Sequence, residues 1–442
     1  MISSDPKARR VVITGLGVIS PIGMTSADLW ASLAGGRSGV RPLGAFPPTH
    51  LPTACAAEVP EFTGAIENFG PLEGEMKKAV RKALKMMCRE CQMGVAAAMR
   101  AIHQAGLTAG KFDPERVGVC YGADYMLSEP AEFSDGMDLC GDDARKFHFE
   151  KWGGTGMGKM NPLWLLKYLP NMPACHIAIF NDLRGPNNSL TQREASSNLA
   201  VGEAARTIQR GSADVMLAGA TGTRVHLMKS LQALVQEETA EPGVEPARAS
   251  RPFDLNRTGM VIGEGAGCLV LEELGHAQAR GATIFGEILG SGASYVADRN
   301  HIANRSKALA NSMRAALRDA GVQPAEVGHL HAHGLSTRRA DIDEAAAIGD
   351  VFGAAAAKLP VTAAKSYFGN LGAASGIVEL AASVLALREG RLFPVLNYDT
   401  PDPACPVSAV RGDDVPAGSI AAHWNVTPQG QAAAVIIGAP RG

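Results

Sequence analysis

The sequence of 442 residues contains few aromatic residues, few charged residues and almost no net charge. Aromatic residues make up 5% of the chain and charged residues 19%, and 44 acidic against 42 basic side chains give a formal charge of −2. This balance argues against a general nucleic-acid-binding protein, which would carry a basic excess. Because no run of about 18 apolar residues occurs, we also expect no membrane span.

Cysteine is present at an ordinary level, with eight residues, so the chain does not resemble a disulfide-rich framework. Cys88 and Cys91 form a C-x-x-C pair within a helical-looking run, and no second pair lies nearby to complete a metal site. We therefore expect no metal. The basic start before VVITGLGVIS resembles a signal peptide, but Pro21 and the glycine pattern favour a first buried strand, and we expect a cytoplasmic protein.

Glycine is abundant, with 50 residues, and 46% of the chain is hydrophobic, which is typical of closely packed α/β layers. Short β-rich runs alternate with Ala-rich helical segments, such as Leu199–Gln209 and Ile377–Arg388. The alternation predicts parallel sheets covered by helices on both sides. The predicted strands are Val11–Ile13, Val117–Tyr121, Val215–Ala218, Cys268–Leu271, Ile284–Leu289, His329–Ala332, Leu359–Thr362 and Ala434–Ile437.

The two halves of the chain resemble each other at three places, in the same order. The matched segments are Arg10–Gly17 with Phe285–Gly292, Glu115–Gly122 with Ala325–Ala332, and Asn198–Arg210 with Ser375–Arg388. A long-period duplication of this kind predicts two similar α/β halves, over residues 10–273 and 280–442, with a site at their junction.

Three polar segments follow predicted strands or begin predicted helices. His333 directly follows a predicted strand, where ligands bind in many α/β folds, although a histidine in a structural turn fits equally well. Lys365–Gly376 follows another strand and begins a helix, whose N-terminus could stabilise negative charge, although the glycines of a tight strand–helix turn would also explain this segment. Glu194 begins the matching helix of the first half, so the internal symmetry places it near Asn370, although a helix-capping role would also explain it.

Taken in order, these segments resemble the elongating β-ketoacyl-acyl-carrier-protein synthases of the thiolase superfamily. The segments with family spacing are ITGLGVISPIG, RGPNNS, GEAARTIQRGSADVMLAGA, RPFDLNRTGMVIGEGAGCLVLEE, AHGLST, KSYFGNLGAASGIVE and LNYDTPDP. The resemblance covers nearly the whole chain. It implies a duplicated, thiolase-like α/β fold of two βαβαβαββ halves, with sheets sandwiched between helix layers.

In active relatives a cysteine at the start of a central helix carries the acyl chain, and two histidines hold the enolate oxygen formed when malonyl loses CO₂. The resemblance places Glu194 at the cysteine position, His333 at the first histidine and Asn370 at the second. It places Lys365 and Glu379 at a lysine and a glutamate that the family also has near this site.

The resemblance also assigns the entrance of the site and its ligand. Pro428 and Gln429 stand where the family has a gating phenylalanine loop, and Leu335 and Thr337 stand where two threonines hold pantetheine. It implies no cofactor beyond the phosphopantetheine of acyl-carrier protein, which arrives as a ligand. The residues expected to dock that carrier, unless they form only a solvated helix face, are Lys77, Lys78, Arg81, Lys82 and Lys85.

A glutamate cannot form the acyl thioester, which leaves two main hypotheses. We favour a non-condensing partner resembling a chain-length factor, in a homodimer or in a heterodimer with an active ketosynthase. The alternative is a malonyl-carrier decarboxylase, or a non-covalent condensing acyltransferase, that uses Glu194, His333 and Asn370. A purely structural protein with an empty pocket is a third class. Because a buried unpaired carboxylate is costly, we predict that Glu194 is paired with His333 or Lys365.

Overall fold

The structure is a computed structural model that describes residues 9–47, 51, 53–107, 112–143 and 146–440. The strands are β1 (Val11–Ile19), β2 (Arg41–Pro42), β3 (Cys55–Ala57), β4 (Val117–Gly122), β5 (Asn187–Leu190), β6 (Val215–Thr223), β7 (Ile262–Glu273), β8 (Gly286–Tyr295), β9 (His329–His331), β10 (Val361–Thr362), β11 (Ile420–Val426) and β12 (Gln431–Gly438). Every predicted strand overlaps one of these elements, which confirms the alternating α/β pattern.

The α-helices are α1 (Ser26–Ala34), α2 (Gly74–Ala83), α3 (Arg89–Gln104), α4 (Ser134–Cys140), α5 (Trp164–Lys167), α6 (Met172–Asn181), α7 (Ser196–Gln209), α8 (Leu227–Gln236), α9 (Leu274–Ala279), α10 (Arg305–Ala320), α11 (Arg338–Phe352), α12 (Lys365–Phe368) and α13 (Ser375–Glu389). The two predicted helices are confirmed as α7 and α13. The helical-looking run that contains Cys88 and Cys91 is divided into α2 and α3, and Cys88 directly precedes α3.

The sheet order shows the internal duplication directly. One half has the order β5-β4-β6-β7-β1 and the other has β10-β9-β11-β12-β8. In each half the first three strands are parallel, as predicted, but the last two are antiparallel to their neighbours, so the prediction of wholly parallel sheets was wrong for these strands. The halves meet where Val11–Ile13 of β1 pairs with residues 286–288 of β8. The thiolase-like duplicated fold is therefore confirmed.

The helices form layers on both sides of the two half-sheets. Helix α7 contacts β4 and β6 of its own half and β8 and β12 of the other, and α13 likewise contacts both halves. These two helices therefore form the central layer, with α3 and α10 on the outer faces of the first and second half-sheets. Because α7 and α13 begin at the junction, the residues just before them lie between the halves.

Glycine allows the outer helices to approach the strands at equivalent positions in the two halves. A Cβ atom on Gly17 would lie 1.9 Å from the carbonyl oxygen of Ala97 in α3, and one on Gly292 would lie 2.2 Å from the carbonyl oxygen of Ser312 in α10. Both distances are far inside van der Waals contact, so only glycine fits there. The abundance of glycine thus reflects close layer packing.

None of the helices in the described part of the chain has the length and apolar character needed to cross a membrane.

Candidate active site

The candidate site lies where several strands and helices of the two halves end or begin. Glu194 lies in a single 3₁₀ turn, Arg193–Ala195, directly before α7. His333 follows β9, and Asn370 lies between α12 and α13. The backbone of Asn370 is anchored to the start of β7, where its N–H donates to Val261 (2.8 Å) and its carbonyl accepts from Gly263 (3.0 Å). This brings Glu194, His333 and Asn370 to one pocket. The symmetry predicted this proximity for Glu194 and Asn370.

Glu194 is almost completely buried, with 2% of its surface exposed, and its main partner is Arg224. Arg224 Nη2 donates to Glu194 Oε1 over 2.7 Å, and Asn370 Nδ2 donates to the same oxygen over 3.2 Å. The prediction of a partner was right, but the prediction that it is His333 or Lys365 was wrong. Arg224 takes that place because the end of β6 directs its long side chain into the junction, while Lys365 pairs with Glu379.

Arg224 belongs to a buried chain of three charges. Its Nη1 group also donates to the carboxylate of Asp124, which is fully buried after β4. Gly372 faces this pair with a φ of +62°, and a Cβ there would lie 3.1 Å from Asp124 Oδ2. A side chain at position 372 would therefore be strained and would press on the ion pair.

The electrostatic environment keeps Glu194 ionised. Burial by itself would raise the pKa of this carboxyl group, but the charges of Arg224 and Arg193 and the hydrogen bond from Arg224 lower the pKa below its ordinary value. Arg193 Nε lies 3.6 Å from Glu194 Oε2, which is too long for a hydrogen bond. An ionised, arginine-bound carboxylate is a poor base and a poor nucleophile.

His333 is neutral, and its tautomer follows from its neighbours. Burial lowers the pKa of His333 well below the ordinary histidine value, and the charge of Lys365 lowers it further. His333 Nδ1 lies 3.4 Å from Lys365 Nζ and 3.2 Å from Asn425 Nδ2, which are both donors. We therefore assign Nδ1 as the acceptor, which leaves the proton on Nε2.

Lys365 lies behind His333 in a second buried charge cluster. Its ammonium group is 2.5 Å from Glu379 Oε1, and Glu379 Oε2 lies 2.9 Å from His423 Nε2. Burial raises the pKa of Glu379, but Lys365 and His423 lower it below the ordinary carboxyl range. Lys365 and Glu379 therefore support His333 and do not face the pocket.

The cavity between these residues is very small. Its lining includes Glu194, His333, Asn370, Arg224, Leu335 and Pro428, and its volume is about 10 Å³. This is roughly the space of one water molecule, far below the ~300 Å³ of a typical small-ligand pocket. An acyl chain does not fit in this cavity as the structure describes it.

The predicted entrance residues have different surroundings. Leu335 and Pro428 line the cavity, and Gln429 lies at its rim, 3.4 Å from Arg193 Nη1. Thr337 does not line the cavity, because its hydroxyl oxygen accepts the Ala340 N–H (3.3 Å) and begins α11.

The predicted docking residues lie together on or just after α2. Arg81, Lys82 and Lys85 are exposed and form no ion pair with any described residue, whereas Lys78 pairs with Glu75 (2.7 Å) and Lys77 with Glu67 (3.7 Å).

Sequence reasoning did not identify Arg224 or Asp124. Both follow the carboxyl ends of neighbouring parallel strands, β6 and β4. A charged residue within two positions of the end of each of two buried strands is a signal that could have indicated a shared site, because such ends meet at one edge of a sheet. The pairing itself joins residues 100 positions apart and is not visible in any local pattern.

The duplicated fold and the junction site define a protein of the ketosynthase class within the thiolase-like folds. Residues 8–277 match the family model for the β-ketoacyl synthase N-terminal domain, and residues 285–399 match the model for its C-terminal domain. The chain belongs to the β-ketoacyl synthase family.

Named relatives and solved structures agree with this assignment. The chain is 35% identical over 405 residues to the 3-oxoacyl-[acyl-carrier-protein] synthase 2 of Coxiella burnetii, covering 91% of each chain. It is 33% identical to the Vibrio cholerae protein of the same name, covering 91% of this chain and 92% of the relative. The structure resembles "the ishigamide ketosynthase/chain length factor" with a TM-score of 0.82 and 31% identity, and a β-ketoacyl synthase from Burkholderia phymatum with a TM-score of 0.83 and 30% identity. Each alignment covers 98% of this chain and 100% of the other.

Proposed function

We propose that this protein is a non-condensing, chain-length-factor-like partner of an active ketosynthase in fatty acid or polyketide biosynthesis. The observation that carries the proposal is the ion pair between Glu194 and Arg224 in a cavity of about 10 Å³. By the family resemblance, Glu194 stands where active members have the nucleophilic cysteine. A carboxylate held by an arginine cannot form an acyl thioester, and the cavity leaves no room for an acyl chain.

The arrangement of polar groups also disfavours the chemistry that remains possible without a thioester. Asn370 would have to donate its amide hydrogen to an enolate oxygen, but that amide donates to Glu194. A malonyl carboxylate or an enolate entering the pocket would meet the ionised Glu194, and like charges repel strongly at low dielectric. The site is therefore better suited to remaining closed than to decarboxylating malonyl groups.

One observation favours the alternative function, malonyl-carrier decarboxylation or non-covalent condensation. His333 is held neutral with its Nε2 proton free to donate, which is the state required to bind a developing enolate oxygen. The alternative would require Glu194 to move away from the pocket or to act as a base. The ion pair with Arg224 opposes this movement. The charges that lower the pKa of Glu194 make it a poor base.

The long segment between β4 and β5, which includes α4, α5 and α6, is the proposed face for the partner subunit. It carries nine of the 17 large hydrophobic side chains that are exposed in the described part of the chain: Met137, Leu139, Phe147, Phe149, Met157, Leu163, Leu165, Leu166 and Ile179. Strand β5 ends the sheet beside this region, and within the described chain it pairs on one side only, with β4. Concentrated apolar exposure next to a free strand edge is typical of an interface. A second ketosynthase-fold chain is the occupant we propose.

The basic residues of α2 and the following turn are the proposed docking surface for acyl-carrier protein. The family resemblance implies that the carrier protein is acidic. Arg81, Lys82 and Lys85 offer positive charge that no described carboxylate neutralises. The phosphopantetheine arm would then be a ligand of the assembly, and no other cofactor is proposed.

The test is a condensation assay with hexanoyl- and malonyl-carrier protein, followed by the intact mass of both the carrier and this chain. We expect no ketoacyl-carrier product and no acyl adduct on this chain. The Vibrio cholerae relative, assayed in parallel, is the positive control for the substrates. Formation of a ketoacyl product by this chain alone would overturn the proposal.

A further inference from the structure

Arg193, the residue directly before Glu194, has an unusual backbone conformation. Its φ is +51°, in the left-handed region that residues other than glycine rarely adopt. Such a conformation costs free energy and persists only where surrounding contacts offset the cost. The contacts that the Arg193 side chain makes are therefore informative.

The Arg193 guanidinium connects three segments around the mouth of the cavity. Its Nη1 group donates to the side-chain oxygen of Gln236, the last residue of α8, and lies 3.4 Å from Oε1 of Gln429 in the turn between β11 and β12. Only 16% of the Arg193 side chain is exposed. Next to it, Arg305 pairs with Glu237 over 2.6 Å and ties the residue after α8 to the start of α10.

Arg193 supplies positive charge near Glu194, but its side chain does not hold the carboxylate by a hydrogen bond. Arg224 already donates to Glu194 Oε1 over 2.7 Å, and Arg193 Nε makes no hydrogen bond to Glu194 Oε2 at 3.6 Å. The hydrogen bonds of Arg193 are made to Gln236 and Gln429 and not to Glu194. Gln236 and Pro428, the neighbour of Gln429, both line the cavity.

We propose that Arg193 is a latch that holds α8 and the β11–β12 turn together and thereby closes the cavity that contains Glu194 and His333. The latch excludes carrier-bound thioesters from the cavity, because such a thioester could reach His333 only after Arg193 had released Gln236 and Gln429. Arg193 is thus a positioning residue and not a catalytic one. This inference rests on the proposed function in that it names the element that keeps the non-condensing site closed.

The test measures access to the cavity with a thiol reporter. Ala233 lies on the buried side of α8 and lines the cavity, so Ala233→Cys places a small thiol inside it. The rate of iodoacetamide labelling at position 233 is followed by peptide mass spectrometry, which separates this thiol from the native cysteines. We expect Arg193→Gly, in the reporter background, to increase the labelling rate at least tenfold. Glycine accepts the positive φ, so this change removes the latch without adding strain.

The matched control is Asp182→Gly in the same reporter background, because Asp182 also has a positive φ (+52°) but ends α6, outside the residues that line the cavity. An unchanged rate in Arg193→Gly would overturn the inference, as would an equal increase in Asp182→Gly. If Arg193→Gly does not fold, the double variant Gln236→Ala/Gln429→Ala removes both anchors and decides the question by the same criteria. Labelling does not depend on catalysis, so its result is independent of whether the proposed function holds.

Discussion

At the scale of single residues, Glu194 cannot be understood apart from Arg224 and Asp124. Two carboxylates share one guanidinium in a fully buried site, so these three side chains carry a net negative charge. The nearby charge of Arg193 offsets it, and the Asn370 amide donates a further hydrogen bond to Glu194. Replacing one member leaves the others without their partner. This coupling implies that Glu194 and Arg224 form one structural unit and cannot be exchanged separately.

We predict that Arg224→Met destabilises the fold by about 3–5 kcal/mol, because it leaves two buried carboxylates unpaired. Glu194→Gln should cost less, about 1–3 kcal/mol, because Arg224 keeps Asp124 as its partner. Urea unfolding gives both values. The control is Arg210→Met, whose partner Glu203 is partly exposed, and its effect should stay within about 0.5 kcal/mol. A cost below about 1 kcal/mol for Arg224→Met would contradict this account.

A second residue-scale prediction concerns His331, which is buried in the neutral form. Its Nδ1 faces the Ser383 hydroxyl over 2.8 Å, and its Nε2 accepts the Ala364 N–H over 3.1 Å. Burial lowers the pKa of His331 well below its ordinary value. The unfolded chain binds a proton as the pH falls through about 6.5, whereas the folded chain does not. The stability that His331 contributes is therefore present above pH 6.5 and is lost as the pH falls.

His331→Asn removes this linkage. The difference in unfolding free energy between the wild type and the variant should therefore be smaller at pH 5.5 than at pH 7.5, by about 1.4 kcal/mol. Ser383→Ala, which keeps the imidazole and removes only its hydroxyl partner, should retain the wild-type pH dependence. Parallel pH profiles of the wild type and His331→Asn would show that His331 is not held neutral.

At the scale of elements, the basic residues of α2 are proposed to bind acyl-carrier protein. Lys78→Glu with Lys82→Glu should weaken binding of acyl-carrier protein at least tenfold at low salt, because the reversed charges repel an acidic partner. Isothermal titration calorimetry measures the affinity. The control, Lys358→Glu with Arg318→Glu, makes the same net charge change at exposed positions away from α2. Equal affinities for both double variants would show that α2 is only a solvated face.

The elements also show which parts of the fold the sequence could predict. Continuous apolar runs in strands such as β1 and β6 were identifiable, and so was the duplication that relates β1 to β8. Strand β5 was not predicted, because Asn187–Leu190 reads as a polar loop and becomes a strand only by pairing with β4. Strand β11 was missed because His423 and Asn425 interrupt its apolar pattern, and both are buried by partners distant in sequence.

For the site, the sequence and the resemblance identified Glu194, His333, Asn370 and the need for a buried counter-charge. They could not identify Arg224 as that counter-charge, because the choice among several cations depends on side-chain reach across the junction. Nor could they reveal how small the cavity is, since that depends on how the layers pack.

At the scale of the whole molecule, the apolar region between β4 and β5 should control assembly. Phe149 is the most exposed residue of this set, at 76%, and Phe149→Asp should shift a purified dimer, whether with itself or with a ketosynthase, towards monomers. Sedimentation velocity measures the shift. Leu255→Asp, at an exposed apolar position outside this region, should leave the assembly unchanged. A dimer that persists in Phe149→Asp would place the interface elsewhere.

The central claim is that the Glu194 pocket performs no chemistry, and decarboxylation of malonyl-carrier protein by the isolated chain tests it most directly. The intact mass of the carrier reports the loss of CO₂, with a no-enzyme control and a check that the chain is folded. The account predicts no loss above that control. Loss of CO₂ that His333→Ala abolishes would show an active site behind the closed mouth and would contradict the assignment as a non-condensing partner.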